Sequence, residues 1–337
     1  AQDSHLRPPP TQLIRLGKVA TPISRVPNSL ALKERNEHRS PGIGEQLAEI
    51  DSMASSNPAS FSIAHARRIV GDLYGIRPAV YWADFLLSMT VGYAAATVYL
   101  EAPLFSWPQI VCFFIGAFAL YRLAMFMHEI VHFRKTEMRG FSLTWNLLAG
   151  IPMLMPSFFY ESHRDHHNAR HYGTEDDGEY LPLGNGTWRD LTYFFAQVFL
   201  QPIFTVLRFT LITPISFLHP RLRQWSLERV SSFVIDLSHR RKIPADAPRR
   251  AWAWIEIGCS LRAWLIFALV LAGLNPWWRV LQLYALASFI LTMNYVRTLA
   301  AHRFLSDGSQ LTHEEQLLDS PDITHAPLTQ LLCPVGL

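Results

Sequence analysis

The sequence predicts an all-α integral membrane protein: four transmembrane helices, paired as two hairpins, with a cytoplasmic helical cap that carries clustered histidines. Three observations lead there. Half of the 337 residues are apolar, which is high for a water-soluble chain of this length. The apolar residues gather into four runs, residues 78–100, 104–127, 251–274 and 277–296, each near the roughly 20 residues that a helix needs to cross about 30 Å of hydrocarbon. The fourteen histidines bunch beside those runs, and clustered histidine points to metal.

Residues 1–60 are rich in Pro, Ser, Arg and Glu with scattered apolar residues, too few to offset the entropy of ordering, and read as a flexible N-terminal leader. The remainder, 61–337, reads as one membrane domain. Only Glu101, Ala102 and Pro103 separate the first two runs, and only Asn275 and Pro276 the last two, so each pair predicts a tight antiparallel hairpin. Glu256 and Arg262 interrupt the third run; intramembrane charges of this kind face a protein interior or a cavity. Two further apolar stretches, 141–159 and 191–217, are broken by Pro152, Pro156, Pro202 and Pro214 and are expected to lie at the membrane interface.

The hairpin turns lack Lys and Arg, whereas the leader and the segment with Arg221, Arg223, Arg229, Arg240, Arg241, Lys242, Arg249 and Arg250 are basic. The excess of positive charge on the cytoplasmic side of membrane proteins therefore puts both termini and all the clustered histidines in the cytoplasm. A net charge of +3 without a basic stripe excludes nucleic acid as a partner. Cys112, Cys259 and Cys333 stand far apart, with no CxxC spacing, and read as buried thiols.

The first cluster, His128-Glu129-Ile130-Val131-His132, continues the second apolar run. Residues four apart share a helix face, so His128 and His132 can grip one ion. The same five residues also fit a zinc-protease pattern with Glu129 as general base. The second cluster is His163-Arg164-Asp165-His166-His167, with His171 four residues on. In a helix His163, His166 and His167 share one face and can converge on metal. His171 is either a further group on that face or an outer donor. Asp176, Asp177 and Glu179 stand close enough in sequence to hold imidazoles by their second nitrogens, as Glu129 also does, or to form a charged loop. His302 is solitary, yet it follows the last apolar run and so emerges on the same side as both clusters.

HEIVH after a transmembrane helix, HRDHH some thirty residues later and RTLAAHR after a later helix make residues 82–337 resemble the membrane-bound fatty acid desaturases. The resemblance implies two non-haem irons held by three histidine boxes and one further histidine. His128 and His132 match the first box, His163, His166 and His167 the second, and His302 the extra ligand. The third box, HxxHH, is missing; His313 and His325 are isolated, and the sequence is expected to stop just short of that box. The resemblance further implies O2 as co-substrate, a membrane lipid or carrier-bound acyl chain as substrate, and desaturation of that chain. Electrons then come from a separate ferredoxin-, rubredoxin- or cytochrome-type protein, since the chain has no flavin, haem or iron–sulfur motif. A hydroxylase or ketolase of a lipid or carotenoid would share the ligands. An intramembrane zinc protease would need no second cluster.

Overall fold

The computed structural model describes residues 68–71, 75–133 and 138–321. The leader proposed for residues 1–60 lies outside them. From Ile76 onward the described residues belong to one compact unit, and among them regular structure is helical.

Helix α1, Pro78–Glu101, and α2, Trp107–His132, form the first hairpin. Pro78 opens α1 where a missing N–H costs nothing. Ser106 caps α2 by accepting the Gln109 amide, and the Gln109 side chain accepts the Phe105 amide at 2.7 Å, closing the turn. Small residues let the two backbones approach. A β-carbon at Gly92 would lie 2.8 Å from Leu120 Cδ2, and one at Gly116 3.3 Å from the Ala96 amide nitrogen. Near the other end Tyr81, Phe85, Phe126, Phe141 and Trp145 build the main core, with Trp145 donating to the Leu123 carbonyl at 2.9 Å. At about 1.5 Å per residue, α2 is long enough to cross the hydrocarbon and project its last turn beyond it.

The stretch after α2 is broken, as its prolines predict. Helix α3, Arg139–Trp145, runs into a π turn at Asn146–Gly150, and a short 3-10 turn, Ser157–Tyr160, leads to the single turn α4, His163–His166. The side chain of Asn146 accepts the Ser157 amide and donates to Ser142 and Ser157, bridging the interruption.

The 191–217 stretch departs from expectation. It forms one helix, α5, Trp188–Ser216, that runs straight through Pro202 and passes through a π turn at Arg208–Ile212 just ahead of Pro214. By length and composition α5 joins α1, α2 and α7, Arg249–Leu271, as four helices able to cross a membrane. That run is α8, Trp278–Ala301, less apolar because of residues such as Gln282, Thr292 and Asn294. It still starts at the α1–α2 turn, where Arg279 pairs with Glu101 at 2.6 Å and Tyr99 and Gln282 exchange hydrogen bonds. Its other end delivers His302. The second hairpin is therefore a hairpin by connection only: α8 packs on α2 and α5, and α7 packs on the last turns of α5.

The apolar side chains point outward, as lipid requires: Leu87 is 65% and Leu271 87% exposed. The charges point inward. Glu256, 0% exposed, is gripped by Arg208 and Arg223, and Arg208 also donates to Val230 and Ser231. Arg241 is buried too and donates to Phe158 and Ser231. Part of the basic run used to orient the chain is thus internal. After α6, Pro220–Arg229, the chain folds back, and the amides of Phe233, Ile235 and Asp236 bond to Phe159 and Gly178.

Candidate metal centre

Two elements bring the histidines together. The last turn of α2 supplies His128 and His132 on one face, and α4 with its cap supplies His163 and His167. One side-chain nitrogen from each of these four lies within 4.8 Å of the other three. The Nε2 atoms of His163 and His167 are 2.8 Å apart. Four nitrogen donors at this separation surround a space of metal-ion size, and imidazole suits iron, zinc and copper.

His166 is turned away from that group, so the three histidines expected on one face divide between two neighbours. Its ring lies 5.0 Å from that of His302 and 5.5 Å from that of His163. His302, in extended backbone just past α8, is thereby carried to the edge of the cluster. A helix of one turn cannot hold a continuous face, and this one is tied down at both ends by other contacts.

Carboxylates fix which nitrogen is free in three of the rings, those of His163, His166 and His128. Glu179 Oε2 accepts both the Tyr160 hydroxyl and His163 Nδ1, at 3.1 and 2.9 Å, which leaves the lone pair of His163 on Nε2. Asp177 Oδ2 takes His166 Nδ1 at 2.9 Å and the Gly173 amide at 3.0 Å. Glu129 takes His128 Nδ1 at 3.2 Å and the Tyr81 hydroxyl at 2.9 Å. Imidazoles that bind metal are commonly held in this way. Gly178, between Asp177 and Glu179, has no side chain for good reason, since a β-carbon there would be 2.8 Å from the His239 ring that closes over it.

Two residues considered for the same duty do other things. Asp176 pairs with the exposed Lys242 at 2.7 Å, and His171 with Asp165 at 3.3 Å. Tyr81, Tyr160, Tyr172 and Asp319 contribute to the site without any signal in local spacing, because each comes from a separate element. The residues beyond Pro321, with the expected approach to a further box, lie outside the described residues.

Burial and neighbouring imidazoles depress His163 far below the ordinary histidine range, His167 to about 3 and His302 to about 4. These rings are neutral at pH 7, the state that binds metal. For His166 burial acts in the same direction, but the hydrogen bond and charge of Asp177 outweigh it and raise the pKa. Asp177 is correspondingly lowered: burial opposes this, and His166 with the Gly173 and Glu179 amides prevails.

The fatty acid desaturase family model matches residues 104–337, a stretch that begins with α2 and includes all six of these histidines. The chain belongs to the fatty acid desaturase family. It is a multi-pass membrane enzyme of the oxidoreductase type, and the family is of the non-haem di-iron kind. A ceramide hydroxylase of Caulobacter vibrioides (strain NA1000 / CB15N) is 35% identical over 277 residues, covering 81% of this chain and 78% of that protein. No solved structure matches the desaturase-family chain.

Proposed function

We propose that the chain is an O2-dependent lipid hydroxylase whose substrate is a ceramide-like long-chain lipid, with His128, His132, His163, His166, His167 and His302 holding two non-haem irons. The observation that carries the oxidative reading is the set of four imidazole nitrogens close enough to share one space, two of the rings, His128 and His163, being held from behind by carboxylates. The name of the Caulobacter relative favours hydroxylation over the desaturation that the sequence alone suggested first. Iron bound here supplies the oxidising power toward an aliphatic C–H bond that O2 alone lacks.

The balance for hydroxylation is one C–H bond, one O2, two electrons and two protons giving an alcohol and one water. Desaturation, the second reading and the one named by the family model, takes the same inputs and gives a double bond and two waters. The protein's part is to keep the imidazoles neutral and oriented, which the buried His163, 5% exposed, and Asp177, 1% exposed, serve. The two electrons come from a separate redox protein approaching the cap. The cap faces the cytoplasm, in keeping with exposed Arg229, Arg240 and Lys242 on that side.

The test is expression of the full-length protein in membranes that lack such an activity, with ceramide and an electron donor supplied under labelled O2. Hydroxylation adds one labelled oxygen to the lipid, read by mass spectrometry; desaturation removes two hydrogens and adds no label. Iron-loaded protein that does neither to ceramides or acyl lipids refutes the oxidative reading.

A further inference from the structure

Beyond the four-histidine group, the segment after α8 folds back onto the second histidine cluster, and it does so through one carboxylate. Helix α9, His313–Asp319, ends on Asp319, which is 0% exposed. Its Oδ2 accepts the Tyr172 hydroxyl at 2.6 Å, and its Oδ1 accepts the Tyr180 hydroxyl at 3.1 Å and the Leu305 amide at 2.6 Å. Its carbonyl accepts the Arg303 amide at 2.7 Å. Both amides lie just after His302 in sequence. The Tyr172 oxygen, whose hydrogen is donated in a hydrogen bond to Asp319, also lies 2.8 Å from His302 Nδ1.

Directionality follows from the chemistry of the groups. The shortest hydrogen bond of Tyr172 is to the carboxylate, so its oxygen retains lone pairs toward His302, and the neutral imidazole must then carry its proton on Nδ1. Nε2 is left unprotonated beside His166, whose ring is 5.0 Å away. The Asp319 carboxylate itself lies 3.6 Å from His302 Nδ1, beyond hydrogen-bond range, so the phenol is the intermediary.

We propose that Asp319 is a positioning residue for His302, acting through Tyr172 to fix the ring's orientation and tautomer so that Nε2 is presented to metal. The inference rests on the metal-centre reading above and deepens it: the pair Tyr172–Asp319 does for His302 what Glu179 does for His163 and Asp177 for His166, with a tyrosine inserted because the carboxylate arrives from another part of the chain. It also gives the stretch between α8 and any later segment a task, since α9 must be docked for His302 to be aimed.

The experiment measures Fe(II) and Co(II) binding to the full-length protein in detergent, by metal analysis and by the Co(II) absorption spectrum. The variants are Tyr172→Phe, Asp319→Asn, His302→Ala, His128→Ala and the pairs Tyr172→Phe/Asp319→Asn and Tyr172→Phe/His302→Ala. Tyr172→Phe keeps the ring packing and leaves Asp319 bonded to Tyr180 and Leu305, so it tests the relay where Asp319→Asn also loosens α9. Each single change in the relay is expected to weaken metal binding about 10–100-fold and to shift the Co(II) spectrum. The Tyr172→Phe/Asp319→Asn pair should lose no more than the worse single change, and in the His302→Ala background Tyr172→Phe should have no further effect. Unchanged metal binding in Tyr172→Phe, or an undiminished effect of it without His302, overturns the positioning role while loss of metal in His128→Ala leaves the centre itself standing. Absence of metal binding in the unaltered protein removes both.

Discussion

Two polar clusters of this protein, the histidine site and the Arg208–Glu256–Arg223 cluster, are built on opposite principles. In the histidine site the acceptors lie on the outside and the lone pairs converge inward, so the centre has open valence. In the Arg208–Glu256–Arg223 cluster the guanidinium groups turn inward onto one carboxylate, with Thr213, Ser231 and the Val230 carbonyl taking further protons of Arg208. The second is shielded from solvent, with Glu256 0% exposed, whereas the first is open on one side, where His132 and His167 are exposed. Buried polarity alone therefore does not mark a reactive site. The direction in which the unsatisfied lone pairs point does.

The contrast predicts opposite results for substitutions of similar burial. His163→Ala removes an imidazole that sits at the meeting point of both boxes, and turnover should be abolished with the thermal midpoint of the metal-free protein little changed. Activity assays and thermal scans on the same preparation check this, and residual turnover above a few per cent would break the comparison. Glu256→Ala should do the reverse. It leaves two guanidinium groups buried without a counter-charge, which costs about 3–5 kcal/mol, so yield and midpoint fall while whatever protein folds still binds metal. Loss of metal without loss of stability in Glu256→Ala would mean that the two clusters are one unit.

Smaller changes sharpen the boundary. Asp177→Asn retains the shape but exchanges a carboxylate for an amide, weakens the hold on His166 and is expected to lower metal affinity about 10–100-fold by titration. Asp176→Asn is adjacent in sequence and breaks an exposed pair with Lys242; it should leave metal binding and turnover at the unaltered level, since exposed ion pairs contribute little. An equal effect of the two neighbours would show that loop charge, and not the individual hydrogen bond, matters.

How much of this was legible beforehand differs by element. The α1–α2 hairpin was, because an apolar run of membrane length bounded by a short turn has few other solutions, and its ends at Glu101 and Trp107 lie close to the sequence boundaries. The division of labour between α5 and α8 was not. Pro202 and Pro214 suggested breaks, yet the helix continues through Pro202 and meets Pro214 with a π turn at Arg208–Ile212, and hydropathy registers neither adjustment. Glu256 and Arg262 were expected to face inward in α7, and Glu256 does, but its partners Arg208 and Arg223 lie in segments that sequence proximity cannot connect.

The sequence by itself determined the membrane class and the histidines that share a turn, since both depend on spacing along one helix: a hydrophobic length in one case and the i, i+4 rule in the other. Tertiary structure decided the rest. It set His166 apart with His302, gave Glu179 to His163 and Asp177 to His166, sent Asp176 to the surface, and placed Tyr172 and Asp319 behind His302. These assignments depend on the direction of individual side chains across contacts between distant segments, and a difference of one residue, as between Asp176 and Asp177, reverses the direction without altering the composition.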